Sequence, residues 1–382
     1  MRKFAALLRA VQVLVVLLFS TPFIMLLLWF FTPKKNLHLT IVDKTVLNTD
    51  YEEHKSLFWF LNHHKLSHPI HGKRFNLKRD YYGFFPGNKP NYEIKGLSQL
   101  TKAQWDSIVA GSDYIYFTDT YGIFEIEWHS NAQATERSGI IYGGLSKADL
   151  YVLDAAKAAG KTIITEFNCF GSPTASSERK AFEDMFGLKW SGWIGRYIDK
   201  LDTTINREIP FWMKNGYVNQ HGHWPFTKSG IVLVSETDQI EILEINEHLT
   251  YPVPVIYTDR EFQKLSHLPD TMPYPFWFDI MEPGKNAISA HYKIHSTAEG
   301  DSLLARIGLS NQFPAILSHS GYDYQFYYFA GDFSDNPVNY KRSYFKGIRF
   351  FREFFYDPTE PSDRLYFFWE YYLPLMDYLF KK

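Results

Sequence analysis

The stretch 161–197, with the helical run that leads into it, constrains the fold of this chain more than any other part of it. It reads as helix, glycine stop, buried strand, turn and second helix. Ser146 is an N-cap candidate, and Leu150, Val152, Leu153, Ala156 and Ala159 recur near helical spacing behind it. Gly160 stops that helix, and Thr162 to Thr165 form a short β-branched run of the kind buried on both faces of a sheet. Gly171, Ser172 and Pro173 turn the chain, and Thr174, Ser176 or Ser177 can cap a helix that runs to Phe186 and ends at Gly187. This is the element order of a parallel α/β unit. The expected fold is therefore α/β, a flavodoxin-like, mostly parallel sheet with helices on both faces. The Gly/Trp-rich residues 188–197 read as a connection.

In open parallel sheets, ligands sit beyond the carboxyl ends of the strands. The strand Leu37 to Asp43 ends in Asp43, and the strand from Tyr114 ends in Asp119, with Tyr121 just past it. The turn after Thr165 carries Glu166, Asn168 and Cys169, and Asp332 follows the late strand 324–330. Candidate catalytic groups are Glu166 with Asp119, which different surroundings can split into acid and base, or Cys169 as a nucleophile. Glu166 can equally hydrogen-bond loop backbone. Candidate ligand-binding residues are Asp43, Asn168, Arg196, Tyr121, Trp193 and Asp332. Arg196 either clamps a carboxylate or phosphate of a ligand or pairs with Asp119 or Glu166.

No cofactor and no metal are expected. His63, His64, His68 and His71 cluster, but adjacent histidines on a helix point in different directions. There is one cysteine, and there is no glycine-rich phosphate loop, no G-x-S-x-G and no H-E-x-x-H. The net charge of −2 argues against nucleic acid as a partner. The loop 69–90 interleaves Lys, Arg, Tyr and Phe, and reads either as a seat for an anionic glycan or as a solvated flap.

Val11 to Phe31 is almost continuously apolar, after Arg2, Lys3 and Arg9 and before Lys34 and Lys35. It has the length of a bilayer span and lacks a cleavage site. The expectation is one transmembrane signal-anchor helix in residues 1–35, with the lipid bilayer as partner through residues 11–31 and an extracytoplasmic body. The body would be an α/β domain over 36–340, followed by an aromatic helical tail over 341–382. Glu370 and Asp377 make that tail a poor span, and docking on the domain is favoured over a membrane interface.

The element order, with YVLDAAKAAGKTIITEF, RKAFEDMFGLKWSGW and YYFAGDFSD, resembles the class I glutamine amidotransferase-like superfamily. The resemblance covers roughly residues 37–337 and is closest to divergent members, such as trehalose-utilisation-type domains and the amidotransferase-like domain of some β-galactosidases. It implies a nucleophilic cysteine in a G-x-C-x-G turn, which here reads Phe167-Asn168-Cys169-Phe170-Gly171, with Phe167 in place of the first glycine. The family's late histidine falls in Gly331 to Asp335, which has none. The resemblance thus implies a fold without a glutaminase triad. The leading expectation is a domain that binds a glycan or envelope protein in cell-envelope or exopolysaccharide metabolism. A divergent hydrolase or transferase, and a scaffold for membrane biosynthetic enzymes, are the alternatives.

Overall fold

The computed structural model describes residues 2–69, 72–129, 138–206 and 208–380. Helix α1 (Arg2–Phe31) leads into strand β1 (Leu39–Asp43) and helix α2 (Glu52–His63). Strands β2 (Tyr82–Pro86) and β3 (Tyr92–Lys95), helix α3 (Lys102–Ala110) and strand β4 (Tyr114–Asp119) follow. Next come α4 (Lys147–Ala158), β5 (Thr162–Thr165), α5 (Ser176–Phe186), β6 (Trp190–Ile198), α6 (Phe211–His221), β7 (Gly230–Ser235) and β8 (Ile240–Glu244). The last part contributes β9 (Val255–Thr258), β10 (Thr271–Pro273), β11 (Trp277–Met281), β12 (Ala287–Lys293), α7 (Ala298–Arg306), β13 (Gln312–Ser320) and β14 (Gln325–Phe329).

The central unit forms as its caps dictate. Ser146 accepts from the Asp149 amide in a full capping box, and Gly160 and Gly187 take left-handed φ values of 67° and 66°. Around it runs a ten-stranded sheet in the order β10-β9-β12-β13-β14-β5-β4-β1-β2-β3. The strands β14, β5, β4, β1 and β2 pair in parallel. Every other junction in this sheet is antiparallel. The sheet is mixed, which corrects the expectation of a mostly parallel flavodoxin-like sheet. The reason is connection length. Short turns such as 321–324, between β13 and β14, admit only antiparallel pairing, because parallel neighbours need a crossover.

A second, antiparallel sheet has the order β8-β7-β6-β11. Its strand β6 is the run read above as a connection. Glycines hide its strand pattern: Gly192 sits at φ 84° where the register shifts between Trp190 and Trp193, and Gly195 lies under the Phe278 ring.

Helix α1 carries the apolar run, and its last turns are built into the body. Met25 and Trp29 are buried, and Trp29 Nε1 donates to the Asn62 carbonyl at 3.0 Å. Lys65 Nζ donates to the carbonyls of Phe30 and Thr32 at 2.6 and 2.8 Å, closing the orphaned end of the helix. Gln12, Ser20, Thr21 and Pro22 interrupt the run. Among the described residues, no helix is long and apolar enough to cross a membrane. This overturns the expected transmembrane signal-anchor and the single-pass, extracytoplasmic placement drawn from it.

The aromatic tail packs on the body as helix α8 (Arg364–Phe367), a π turn over Phe368–Tyr372 and helix α9 (Leu373–Phe380). Phe368 and Trp369 each meet the Trp59 ring of α2 at 5.3 Å, and Phe380 meets Tyr114 at 4.8 Å. Tyr371, Tyr372, Leu375 and Met376 are completely buried, each contributing on the order of 2 kcal/mol by removal of apolar surface from water.

Candidate functional site

The chain leaves β1 for β2 on one side and returns to β4 on the other, so the topological switch point lies between β1 and β4. Open α/β sheets bind ligands at such a crevice. Asp43 and Asp119 end these two strands and stand opposite each other in register. The close packing needs glycine next door, since a Cβ on Gly83 would lie 1.5 Å from the Asp43 carbonyl oxygen.

Asp43 is fully held. Its Oδ1 accepts from the Thr45 amide at 3.0 Å, and its Oδ2 lies 2.6 Å from His54 Nδ1. His54 Nε2 faces the Leu77 carbonyl at 3.0 Å, an acceptor only, so that nitrogen carries a proton. Asp119 Oδ1 accepts from the Tyr121 amide at 2.7 Å, and Asn168 Nδ2 reaches both Asp119 oxygens at 3.4 Å. Burial, and then the nearby Asp43 charge, push Asp119 up to about 8.

Asn168 adopts φ 70°, in the left-handed region, at the tip of the turn between β5 and α5. A left-handed residue at a strand-to-helix turn lifts its side chain over the strand ends, as in a nucleophile elbow. Here the lifted group is a carboxamide. Cys169, one residue on, is 1% exposed, packs in the core cluster and donates to the Glu166 carbonyl at 3.3 Å. Burial first, with Asp279 and Asp119 adding to it, raises its pKa well above the usual value. A thiol held protonated in this way is a poor nucleophile.

Glu166 is also turned inward. Its Oε2 accepts from the amides of Phe333 and Ser334 at 2.8 and 2.9 Å, and its Oε1 from the Tyr116 hydroxyl. Burial pushes it up to about 8 against those stabilising bonds. Asp332 is buried beside it. Burial, then Asp335, Asp119 and Glu166, raise Asp332 well above the carboxylate range, and its Oδ1 has no hydrogen-bond partner. Glu53 of α2 is raised likewise, by burial and then by Asp43, and its Oε2 is also unpartnered. Asp335 is held by Arg364 Nη2 at 2.8 Å.

Asp43, Asp119, Glu166, Asn168 and Asp332 thus gather at one end of the sheet. Tyr121 stands half-exposed beside them, 5.0 Å from the Phe124 ring. Arg196 and Trp193 belong to β6 in the second sheet. Arg196 pairs with Glu208 at 3.2 Å rather than with Asp119 or Glu166, and its guanidinium lies over the Trp277 ring. Trp193 is buried between Ser235 and Ile280 of the neighbouring strands.

Sequence reasoning missed Glu53, His54 and Asp335, and it missed Lys44, whose Nζ is 2.5 Å from Asp149 Oδ2 and 2.7 Å from the Gly144 carbonyl. The available signal was a buried-strand acid followed within a dozen residues by an acid and a histidine in adjacent helix positions. Of the histidine cluster, His63 is buried and stacked on Trp59, His64 pairs with Asp377 at 3.1 Å, and His71 lies outside the described residues. Among the described residues, no group of three or more side chains could hold a metal.

These shifts set a pH dependence. Asp119 and Glu166 at about 8, and Asp279 raised by burial to about 7, keep protons in the fold that the unfolded chain gives up near pH 4. Their stabilising contribution is full below about pH 4 and is lost as pH rises through about 8. His63 is lowered by burial to about 3, so its contribution is present above about pH 6.5 and is lost as pH falls. Above pH 6.5 the carboxyls therefore dominate. The melting temperature is expected to fall by roughly 2–4 °C from about pH 6.5 to about pH 8.5, and by less in Asp119→Asn, as read by differential scanning fluorimetry.

No protein-family model and no curated protein matches this chain. Among solved structures, the chain is similar to the β-galactosidase from Bacillus circulans sp. alkalophilus, with a TM-score of 0.28 and 10% identity, over 59% of this chain and 22% of that one. The match thus spans about a fifth of the β-galactosidase, and at that score it carries no argument about fold or function.

Proposed function

We propose that this chain is a ligand-binding α/β domain whose crevice between β1 and β4 takes a neutral glycan, and that it performs no glutaminase chemistry. The observation that carries this reading is Asn168, left-handed at the turn tip with its carboxamide against Asp119. A nucleophile elbow that presents an amide can hold a ligand and cannot attack one. Glu53 Oε2 and Asp332 Oδ1 are buried without a hydrogen-bond partner, and a sugar hydroxyl can satisfy them only where the rim opens to admit it. Carboxyls pushed towards the neutral form both donate and accept, which suits hydroxyls better than cations. Tyr121 adds an aromatic surface at the edge. The amidotransferase-like ancestry is part of the same proposal. It is supported by the position of this turn after a parallel strand, with the thiol displaced by one residue into the core.

The test is a glycan array probed with the full chain and with Asn168→Gly. Glycine keeps the left-handed backbone and removes only the amide. Retention of neutral glycans by the wild type, weakened about tenfold or more in the variant, is the expected result. Failure to retain any neutral glycan rejects the reading.

A further inference from the structure

Behind His54, whose ring lies between Asp43 and the Leu77 carbonyl, the loop before β2 builds a groove of about 440 Å3 with Lys34, Lys73, Arg74, Lys78 and Arg79 on its lining. Of eleven lining residues, five are cationic and none is acidic. Tyr340 and Tyr344, from the segment ahead of α8, contribute aromatic wall. The concentration stands out because the whole chain carries a net charge of −2, so the rest of it has an acidic excess.

Two of the cations are set in place before any ligand arrives. Arg74 Nη1 donates to Asn62 Oδ1 at 3.0 Å, while its guanidinium lies over the rings of Trp29 at 5.0 Å and Tyr344 at 5.5 Å. Lys34 Nζ donates to the Gly72 carbonyl at 2.7 Å. Lys73, Lys78 and Arg79 are exposed around them. The neighbouring Asp80 lies 3.3 Å from Arg79 Nε and also accepts from the Asn76 amide, so it offsets only part of the charge. Just behind the groove, burial and then the charges of Arg74 and Lys34 lower the pKa of Lys65, a sign of local positive potential. Like charges crowded in a concave surface repel, and a bound anion relieves that repulsion.

We infer that this groove is a second binding site, for a compact anion carrying two or more phosphate or carboxylate groups. Its volume falls within the range of about 300–1,000 Å3 typical of small-molecule sites, and the acidic excess elsewhere disfavours a long polyanion. Arg74 offers a planar fork for two-point recognition, and the lysines add point charges around it. Neither Asp43 nor Asp119 lines this groove, although Leu77 on its wall meets His54, the partner of Asp43.

The test is calorimetric titration of the full chain with glucose 1,6-bisphosphate, with citrate and with glucose. The first two separate phosphate from carboxylate as the preferred group, and glucose controls for the sugar body. At least one anion is expected to bind, with affinity falling about threefold or more between about 50 and about 200 mM salt. The variant Lys73→Gln/Lys78→Gln/Arg79→Gln changes only exposed side chains and is expected to weaken binding about tenfold or more, with an unchanged melting temperature. Asn168→Gly is expected to bind the anion as the wild type does. No binding of either anion at about 10 mM, or equal binding by the triple variant, overturns the inference.

Discussion

Replacement of Glu166 by alanine is expected to lower stability by about 4 kcal/mol. The side chain is completely buried and accepts from three donors, the Phe333 and Ser334 amides and the Tyr116 hydroxyl. Each donor left without a partner costs about 1–3 kcal/mol, and local relaxation recovers part of the sum. The two amides belong to the loop after β14 that also carries Asp332 and Asp335, so the acidic rim should loosen along with it. Glu166→Gln keeps acceptor capacity and is expected to lose about half as much. Urea unfolding of both variants checks the size and the order. Equal stability of Glu166→Ala and wild type would return Glu166 to the list of candidate catalytic acids.

The second large effect belongs to Lys44. Its Nζ and Asp149 form an ion pair with side-chain exposures of 3% and 0%, and the same nitrogen donates to the Gly144 carbonyl. Asp149 also accepts from the Ser146 amide and hydroxyl, so this pair ties the strand end beside the crevice to the first turn of α4. Lys44→Met leaves the Asp149 charge buried without its cation and is expected to cost about 3–5 kcal/mol. Asp149→Asn keeps an oxygen for the cap. Adding it to Lys44→Met should recover about half of the loss, because the uncompensated charge goes with it. Additive losses in that double-mutant cycle would mean that the pair does not act as a unit.

The parts of this fold that were legible in the sequence are those that local chemistry decides. Ser146, Gly160 and Gly187 mark the helix ends because capping and left-handed stops depend on a few adjacent residues. The acids at strand ends were legible for the same reason. The mixed pairing of the sheet was not, because a buried apolar run looks alike in parallel and antiparallel neighbours. The β6 strand was obscured by Gly192 and Gly195, which its bulge and the Phe278 ring require. His54 and Glu53 reach the rim from α2, and nothing local in the sequence says which strand end a helix will face. The turn at Phe167-Asn168-Cys169 was read one residue late. Asparagine tolerates positive φ far better than its neighbours, which is the signal that selects Asn168 as the raised residue. The apolar run in α1 was plain in the sequence, whereas its docking through Trp29 and Lys65 depends on residues more than thirty positions away.

In the proposed binding mode, Asn168 touches a neutral glycan in the crevice between β1 and β4. The most direct measurement is the side-chain amide signal of Asn168 in a nitrogen–proton correlation spectrum, assigned by its disappearance in Asn168→Gly. Saturating amounts of the best array ligand should shift that signal and leave the guanidinium signal of Arg74 in place. A ligand that binds while the Asn168 amide stays unmoved would rule out that contact.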